Sequence, residues 1–544
     1  MGRARAWHLS LGRAHLRRSA GDHRRRRLQR VVHRVGRGSL KLNLNHRVAL
    51  VLLFGCQPAA EAPTAPVHFL RGALERGGAI EARAYQPGET IDGVVAPLAP
   101  ECRSQLIIPL EDRRADAEQG APPAGAALAF SPDSASLAIG SVEGAIKVVR
   151  VPSGAVIAEK QLAEGSVKQV AFSPDGKTLY VGEQSPDAYV YALDPATLTE
   201  RWKLRLADDI ESSSLPADDT MYGRFSLPGA YAIKVLRDGR VLVAGAHGWV
   251  TEGGRQNRAR LYVLSPAGER LAAYPSAGAA DGIFLFPSVY EPEQGPGDVL
   301  VGVARSAEGP VPDGLPVGGL VNLSTADLSV RWSTVFPPLT PWFKAVFFWE
   351  AVVRGPGFAF AGLGDGRGFL LDGAGQSVAA LQPGIPVLTG GVPIGVGLGF
   401  ATANPDGIWY LTTSTNIPWG SADPAARPPS AHPAENTVHA VKPDGTPRWD
   451  RQLREAVAGV VLSPDGSELL VGAGPRDSDT RTDLFGAVVL DAATGKTITT
   501  CSTAAPTDFR PVFAPDGGWI AVSEAPFKAV DGSIAGAYQV TVFR

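Results

Sequence analysis

Ala171-Phe172-Ser173-Pro174-Asp175-Gly176 and Val461-Leu462-Ser463-Pro464-Asp465-Gly466 are one phrase written twice, and it decides the fold. The phrase returns as Ala129-Phe130-Ser131-Pro132-Asp133 and Val512-Phe513-Ala514-Pro515-Asp516-Gly517. Weaker echoes stand at Leu236-Arg237-Asp238-Gly239 and Ala403-Asn404-Pro405-Asp406-Gly407. In each, an alternating apolar strand ends, Pro sets φ for a turn, and Asp-Gly takes the conformations a tight hairpin needs. A second strand follows, at Thr178–Gly182, Val241–Ala244, Glu468–Gly472 and Trp519–Ser523.

A second unit follows downstream of the phrase. Tyr189–Asp194 runs through a turn into Glu200-Arg201-Trp202-Lys203-Leu204, and Val438–Gly445 leads to Arg448-Trp449. Leu261–Gly268, Ala487–Lys496 and Leu328–Trp332 have the same form. Strand, turn, strand, loop, strand, turn, strand within about 40–60 residues is one blade of a propeller. Blades start near Ala126, Val167, Ala230, Gly282, Lys344, Gly397, Val457 and Phe509. The fold class expected is all-β, a single β-propeller of eight four-stranded blades, with seven the alternative. The last blade runs out of chain before its outer strand, and Ser104–Leu110 is suited to supply it from the N-terminal side, closing the ring. Cys102 and Cys501 then fall close enough to pair; two unpaired buried thiols are the other reading.

These residues resemble the WD-repeat-like and pyrroloquinoline-quinone-like propeller families over residues 104–544. The Gly-His and Trp-Asp pair of the WD repeat is incomplete. Trp202, Trp332 and Trp449 echo the tryptophan docking position of the quinone-type blades. The adjacent cysteine pair at the cofactor of the quinone dehydrogenases has no counterpart here, so the resemblance does not carry their cofactor over.

The N-terminus is different in kind. Of 52 Lys and Arg, 13 Arg and one Lys fall within residues 1–47, against the single carboxylate of Asp22. The rest of the chain is strongly acidic and would repel a phosphate backbone, so nucleic acid is not an expected partner. A short apolar run, Val48 to Cys56, follows the basic stretch, which is the layout of a signal peptide (residues 1–55) and far too short to span a bilayer. Leu53-Phe54-Gly55-Cys56 resembles the lipobox of bacterial lipoproteins, which implies lipidation at Cys56 and attachment to a membrane outside the cytoplasm. Phe54 departs from that motif. The length of the basic segment points to translation starting nearer Val31, Val32 or Val35. Residues 56–66 read as a Pro/Ala-rich tether, and residues 67–103 hold β-like pieces without a clear place.

Catalytic signatures are poor. Gly176-Lys177-Thr178 and Gly495-Lys496-Thr497 lack the glycine five positions earlier that a phosphate loop needs, with Ala171 and Leu490 there instead. His68, His247, His432 and His439 show no ligand-like spacing, so no metal site is expected. Acidic runs at Asp208–Glu211 with Asp218 and Asp219, and at Asp477–Asp483, leave calcium as the one cofactor open, with plain solvated loops the other reading. Function in such a ring falls to its long inserts. Pro337–Trp349 concentrates Trp342, Phe343, Phe347, Phe348 and Trp349, a candidate binding loop; the competing reading is that Phe347, Phe348 and Trp349 belong to an inner strand and face the core. Ala246–Arg258 with His247 and Trp249, and Thr412–Glu435 with Trp419, are further inserts. The expectation is a lipid-anchored binding or scaffold module for a protein or small ligand; the alternative is a lactonase-like hydrolase using acidic residues and calcium at the central channel.

Overall fold

The computed structural model describes residues 68–70 and, from 101 to the C-terminus, all residues except 119–124, 163–164, 213–226, 252–253, 277–282, 306–314, 340–342, 344–345, 347, 385, 390–391, 417–431, 454–455, 475–484, 508–509 and 529–531. The chain divides into residues 1–59 and 60–544, and every described residue belongs to the second unit.

Among its described residues that unit is all-β apart from two short helices, Arg114–Glu118 and Ala207–Ile210. Four sheets are four-stranded antiparallel meanders or variants of one. Two larger sheets each contain two such sets joined through one residue pair, Gly229 with Gln184 in one and Glu350 with Phe400 in the other; the second also includes His68–Leu70 and Val387–Thr389. The arrangement is propeller-like. In chain order the sets span residues 127–161, 166–205, 229–274, 283–335, 348–382, 392–452 and 456–502. A last set takes Val512–Phe513, Ile520–Glu524 and Gln539–Phe543 from the C-terminus and Ser104–Pro109 from the N-terminal side. His68–Leu70 lies along the outer strand of the 348–382 set, pairing with Ala380–Gln382.

The Pro-Asp-Gly phrases form the turns read from sequence. Ser173 Oγ donates to Asp175 Oδ1 at 2.6 Å, the Lys177 N–H donates to the same oxygen at 3.1 Å, and Gly176 takes φ +69°. The same network recurs at Ser131 with Asp133 and at Ser463 with Asp465. Where the phrase has no glycine, Ser134 itself takes φ +58°.

Apolar side chains from consecutive sets pack face to face, so the cores lie between sheets. Leu242, Leu261 and Val263 of one set meet Val299, Val301 and Val321 of the next. The C-terminal set packs likewise on the first: Val540 and Val542 share a core with Leu137, Ile139 and Val149.

A second regularity lies at the rim. Every outer strand carries a bulge near its start, and the residue just after it alternates in size from set to set: Ala158, Trp202, Ala272, Trp332, Ala379, Trp449, Thr499 and Leu106. Each large residue docks on a turn of the following set. Trp202 donates its indole N–H to the Pro266 carbonyl at 2.9 Å, Trp332 to Gly373 at 3.0 Å, and Trp449 to Ala492 at 3.2 Å. Beneath the rings lie Gly268, Gly375 and Gly495, each at positive φ and with no room for a Cβ; Leu106 sits on Gly154 in the same way. At two of the junctions where the strand residue is small, the turn supplies the bulk: Leu198 packs near Ala158, and Leu328 near Ala272, both leucines buried at positive φ.

In the last set no turn joins the third strand to the outer one, because the outer strand is Ser104–Pro109, from the N-terminal side. A covalent link stands at that junction. Cys102, just before Ser104–Pro109, is disulfide-bonded to Cys501 on the outer strand Thr497–Ser502 of the preceding set, with Cα atoms 4.7 Å apart. The Cys102 N–H also donates to the Thr500 carbonyl at 2.8 Å.

Candidate functional site at the axis and the loop end

Innermost strands determine what faces the middle of a propeller-like array. Five of them break register: at Lys168, at Tyr231, between Phe348 and Val352, between Leu398 and Ala401, and at Ala458. A bulge places a residue outside the ladder and re-aims its side chain. Glu350 and Phe400 lie in two of these breaks and are also the pair that joins their sets.

Arg510 reaches this position from just ahead of Val512–Phe513. Its stem passes Gly459, where a Cβ would stand 2.6 Å from the Arg510 Cγ. Its guanidinium lies 5.6 Å from the Phe400 ring centre and pairs with the Glu350 carboxylate. One side chain thus touches residues from three other sets. Lys234 stands on the inner strand Gly229–Val235.

Arg510 and Glu350 expose 42% and 48% of their side chains, and Lys234 is exposed. Surrounding protein nevertheless pushes the Arg510 guanidinium down to about 10. Desolvation, then repulsion from Arg510, holds the Lys234 ammonium below its ordinary value.

The long connections gather elsewhere. In an antiparallel set the first-to-second and third-to-fourth strand turns share one end, and the second-to-third connection and the exit to the next set share the other. The Pro-Asp-Gly turns occupy the first end. Residues 306–318, 336–347, 417–436 and 475–485 all connect strands at the second.

Several sequence-based candidates move. Ala246–Arg258 is no loop: the strands Val241–Thr251 and Gly254–Leu264 continue as one hairpin through it, in unbroken register. His247 is therefore buried, its Nδ1 2.9 Å from the Ile210 carbonyl oxygen, because the 207–210 helix packs over the hairpin. Trp249 is half-buried beside it, 4.8 Å between ring centres, with Arg258 over its face. Phe343 is not an exposed platform; it is 1% exposed, against Gly395, and belongs to the core. Phe348 opens an inner strand and is buried, and Trp349 follows it in that strand. Cys56, Trp342 and Trp419 lie outside the described residues.

The acidic stretch at Asp208–Glu211 is no calcium cage. Its carboxylates already face cations: Asp208 pairs with Arg205, Asp209 with Arg270 at 3.3 Å and Arg260 at 3.7 Å, and Glu211 with Arg258 at 3.1 Å. The Tyr262 hydroxyl donates to Asp209 as well. Asp218, Asp219 and Asp477–Asp483 lie outside the described residues. Among the described residues, no three His, Cys, Asp or Glu side chains converge as a metal site would require.

Lys234, Glu350, Phe400 and Arg510 were not singled out from sequence. The available signal was a charge inside an apolar inner strand: Lys234 in Gly-Ala-Tyr-Ala-Ile-Lys-Val, and Glu350 between Trp349 and Ala351.

No protein-family model matches the chain, and no curated protein matches it. Solved structures do resemble it. The C-terminal WD40 domain of Sif2 aligns at TM-score 0.49 and 10% identity, over 82% of this chain and 99% of that one. The Dos1 propeller gives 0.48 and 13%, over 80% and 94%. BamB from Moraxella catarrhalis gives 0.44 and 14%, over 81% and 98%.

Proposed function

We propose that the four-stranded sets are the eight blades of one closed ring, and that the ring is a binding or scaffold module whose ligand is held by the loops at one end. The observation that carries this reading is the segregation of connections: tight hydrogen-bonded turns at one end of the sets, the long connections at the other. A rigid ring with variable loops on one face is a common layout for recognition.

The rim alternation favours eight blades over seven. A large-small period of two closes on itself only in an even ring; with seven, two like residues would meet at closure. The core shared by Val540, Val542, Leu137 and Ile139 supports closure of the last set on the first.

Lipidation at Cys56 belongs to the same reading. It would place the ring on a membrane outside the cytoplasm, in a compartment that permits the Cys102–Cys501 bond.

The test uses the full chain in its native membranes. A photo-crosslinking residue is placed at Trp419, in the 417–436 connection, and separately at Asp465, in a turn. Discrete adducts from position 419 and none from 465 are expected. Adducts from 465 alone, or none from either, would contradict the reading. Cys56→Ser should move the protein from the membrane to the soluble fraction.

A further inference from the structure

The last and first sets share a core, yet a pocket of about 190 Å³ stands between them. One wall is the end of the N-terminal strand and the residues after it, Pro109, Leu110 and Glu111. Register sets the other wall. Ile139 pairs with Lys147 and Lys147 with Glu159, so one side chain from each of three neighbouring strands lines up on the same face. Ser141 and Ala145 complete the lining two residues further along those strands.

The charges lining this pocket do not balance. Lys147 is paired with Glu159 at 3.3 Å, its ammonium mostly covered and the carboxylate half exposed. Glu111 is left over. Among the described residues it forms neither a hydrogen bond nor an ion pair, and its Oε2 is shut off from solvent. A carboxylate in that position is costly until a cation meets it, and its charge is spread over both oxygens, so a cation at either one offsets it. A metal ion suits the lining poorly. Calcium takes roughly six to eight oxygen ligands, whereas the residues left after the Lys147–Glu159 pair and Glu111 are one hydroxyl, Ser141, and four apolar side chains. Those apolar side chains suit a hydrocarbon body. A cavity of about 150 Å³ already holds benzene, so a short alkyl chain has room here.

We propose that this pocket binds a small primary ammonium, its N–H donors meeting the Glu111 carboxylate and its hydrocarbon chain lying against Pro109, Leu110, Ile139 and Ala145. Glu111 selects for positive charge, because the other carboxylate is already held by Lys147. The site is separate from the long connections and from the Arg510–Glu350 pair, since it is built where the N-terminal strand packs on the first set.

The experiment is calorimetric titration of the purified full-length protein with n-butylammonium chloride and with n-butanol, sodium chloride matching the ionic strength. Saturable binding of butylammonium is expected, with butanol weaker by about tenfold, the loss that follows removal of a charge-assisted contact. Glu111→Gln should weaken butylammonium by a similar factor and leave butanol unchanged. Glu269→Gln, at an exposed carboxylate in a turn of another set, should change neither. No saturable binding, equal affinity for butylammonium and butanol, or butylammonium affinity that survives Glu111→Gln overturns the proposal. If Glu111→Gln fails to fold, Ala145→Leu, which fills the pocket without altering its charge, decides: lost butylammonium binding supports the site, and retained affinity overturns it.

Discussion

The Trp332 indole lies across Gly375 of the next set and donates its N–H to the Gly373 carbonyl at 3.0 Å. A Cβ at Gly375 would fall 2.4 Å from the ring, and the residue sits at φ +81°. Two penalties therefore apply to Gly375→Ala. The left-handed backbone costs about 1–2 kcal/mol for an L-residue, and displacing the indole adds a steric loss of similar order. Gly357 has φ +74° but nothing within 4 Å. Urea unfolding of the two alanine variants should show Gly375→Ala destabilised about twice as much as Gly357→Ala.

The disulfide links the lead-in of Ser104–Pro109 to the strand Thr497–Ser502 of the preceding set. Cys102→Ser with Cys501→Ser should lower stability by about 2–4 kcal/mol. Peptide mapping without reductant should recover Cys102 and Cys501 as one linked species. Two free thiols there would remove the clasp from the account.

Phe343 is a core residue, so its removal should act on stability. Phe343→Ala should cost about 3–4 kcal/mol in chemical unfolding, the range for a large side chain deleted from a packed site. A variant of native stability would return Phe343 to the surface role that its position in an aromatic insert suggested.

Acid should loosen the turns. The Asp465 carboxyl is held down to about 2, first by the Ser463 hydroxyl and then by the Ser467 N–H and hydroxyl; Asp133 and Asp175 are lowered in the same way by Ser131 and Ser173. A carboxylate depressed in the folded state contributes stability that is present above its unfolded value, near 4, and is lost as pH falls through the folded value. Asp465→Ala should therefore be less stable than the parent at pH 7, with the gap narrowing between about pH 4 and pH 2. Thermal melts across that interval check this, and a constant gap would contradict the turn's assigned role.

The legible parts of the fold are those encoded locally. Ser-Pro-Asp-Gly specifies a turn through its own side chains, so the hairpins and the approximate start of each set could be read directly. The Arg-Trp strands were visible for the same reason, and Ser104–Leu110 could be matched to the last set because that set lacked an outer strand in sequence; it pairs at Ser104–Pro109 with Gln539–Phe543. The small partners of the tryptophans were not visible. Ala158, Ala272 and Ala379 have meaning only beside the turn each faces across a junction. The axial groups were hidden for a related reason. A bulge is a mismatch between two strands, and neither strand announces it alone. Phe348 follows the inner-strand reading of its segment, whereas aromatic density at Pro337–Trp349 misled for Phe343, which is buried; composition does not say which side of a strand is wet.

The central claim is that the N-terminal strand closes the ring, and Ile108 tests it most directly. It is 6% exposed, within the core shared by the last and first sets. Hydrogen exchange of the full chain carrying Ile108→Asp, followed by mass spectrometry, should show faster exchange in residues 539–543 and 520–524 and also in 137–140, while residues 299–303 keep their protection. Faster exchange confined to residues 104–109, with both neighbouring sets unchanged, would contradict closure.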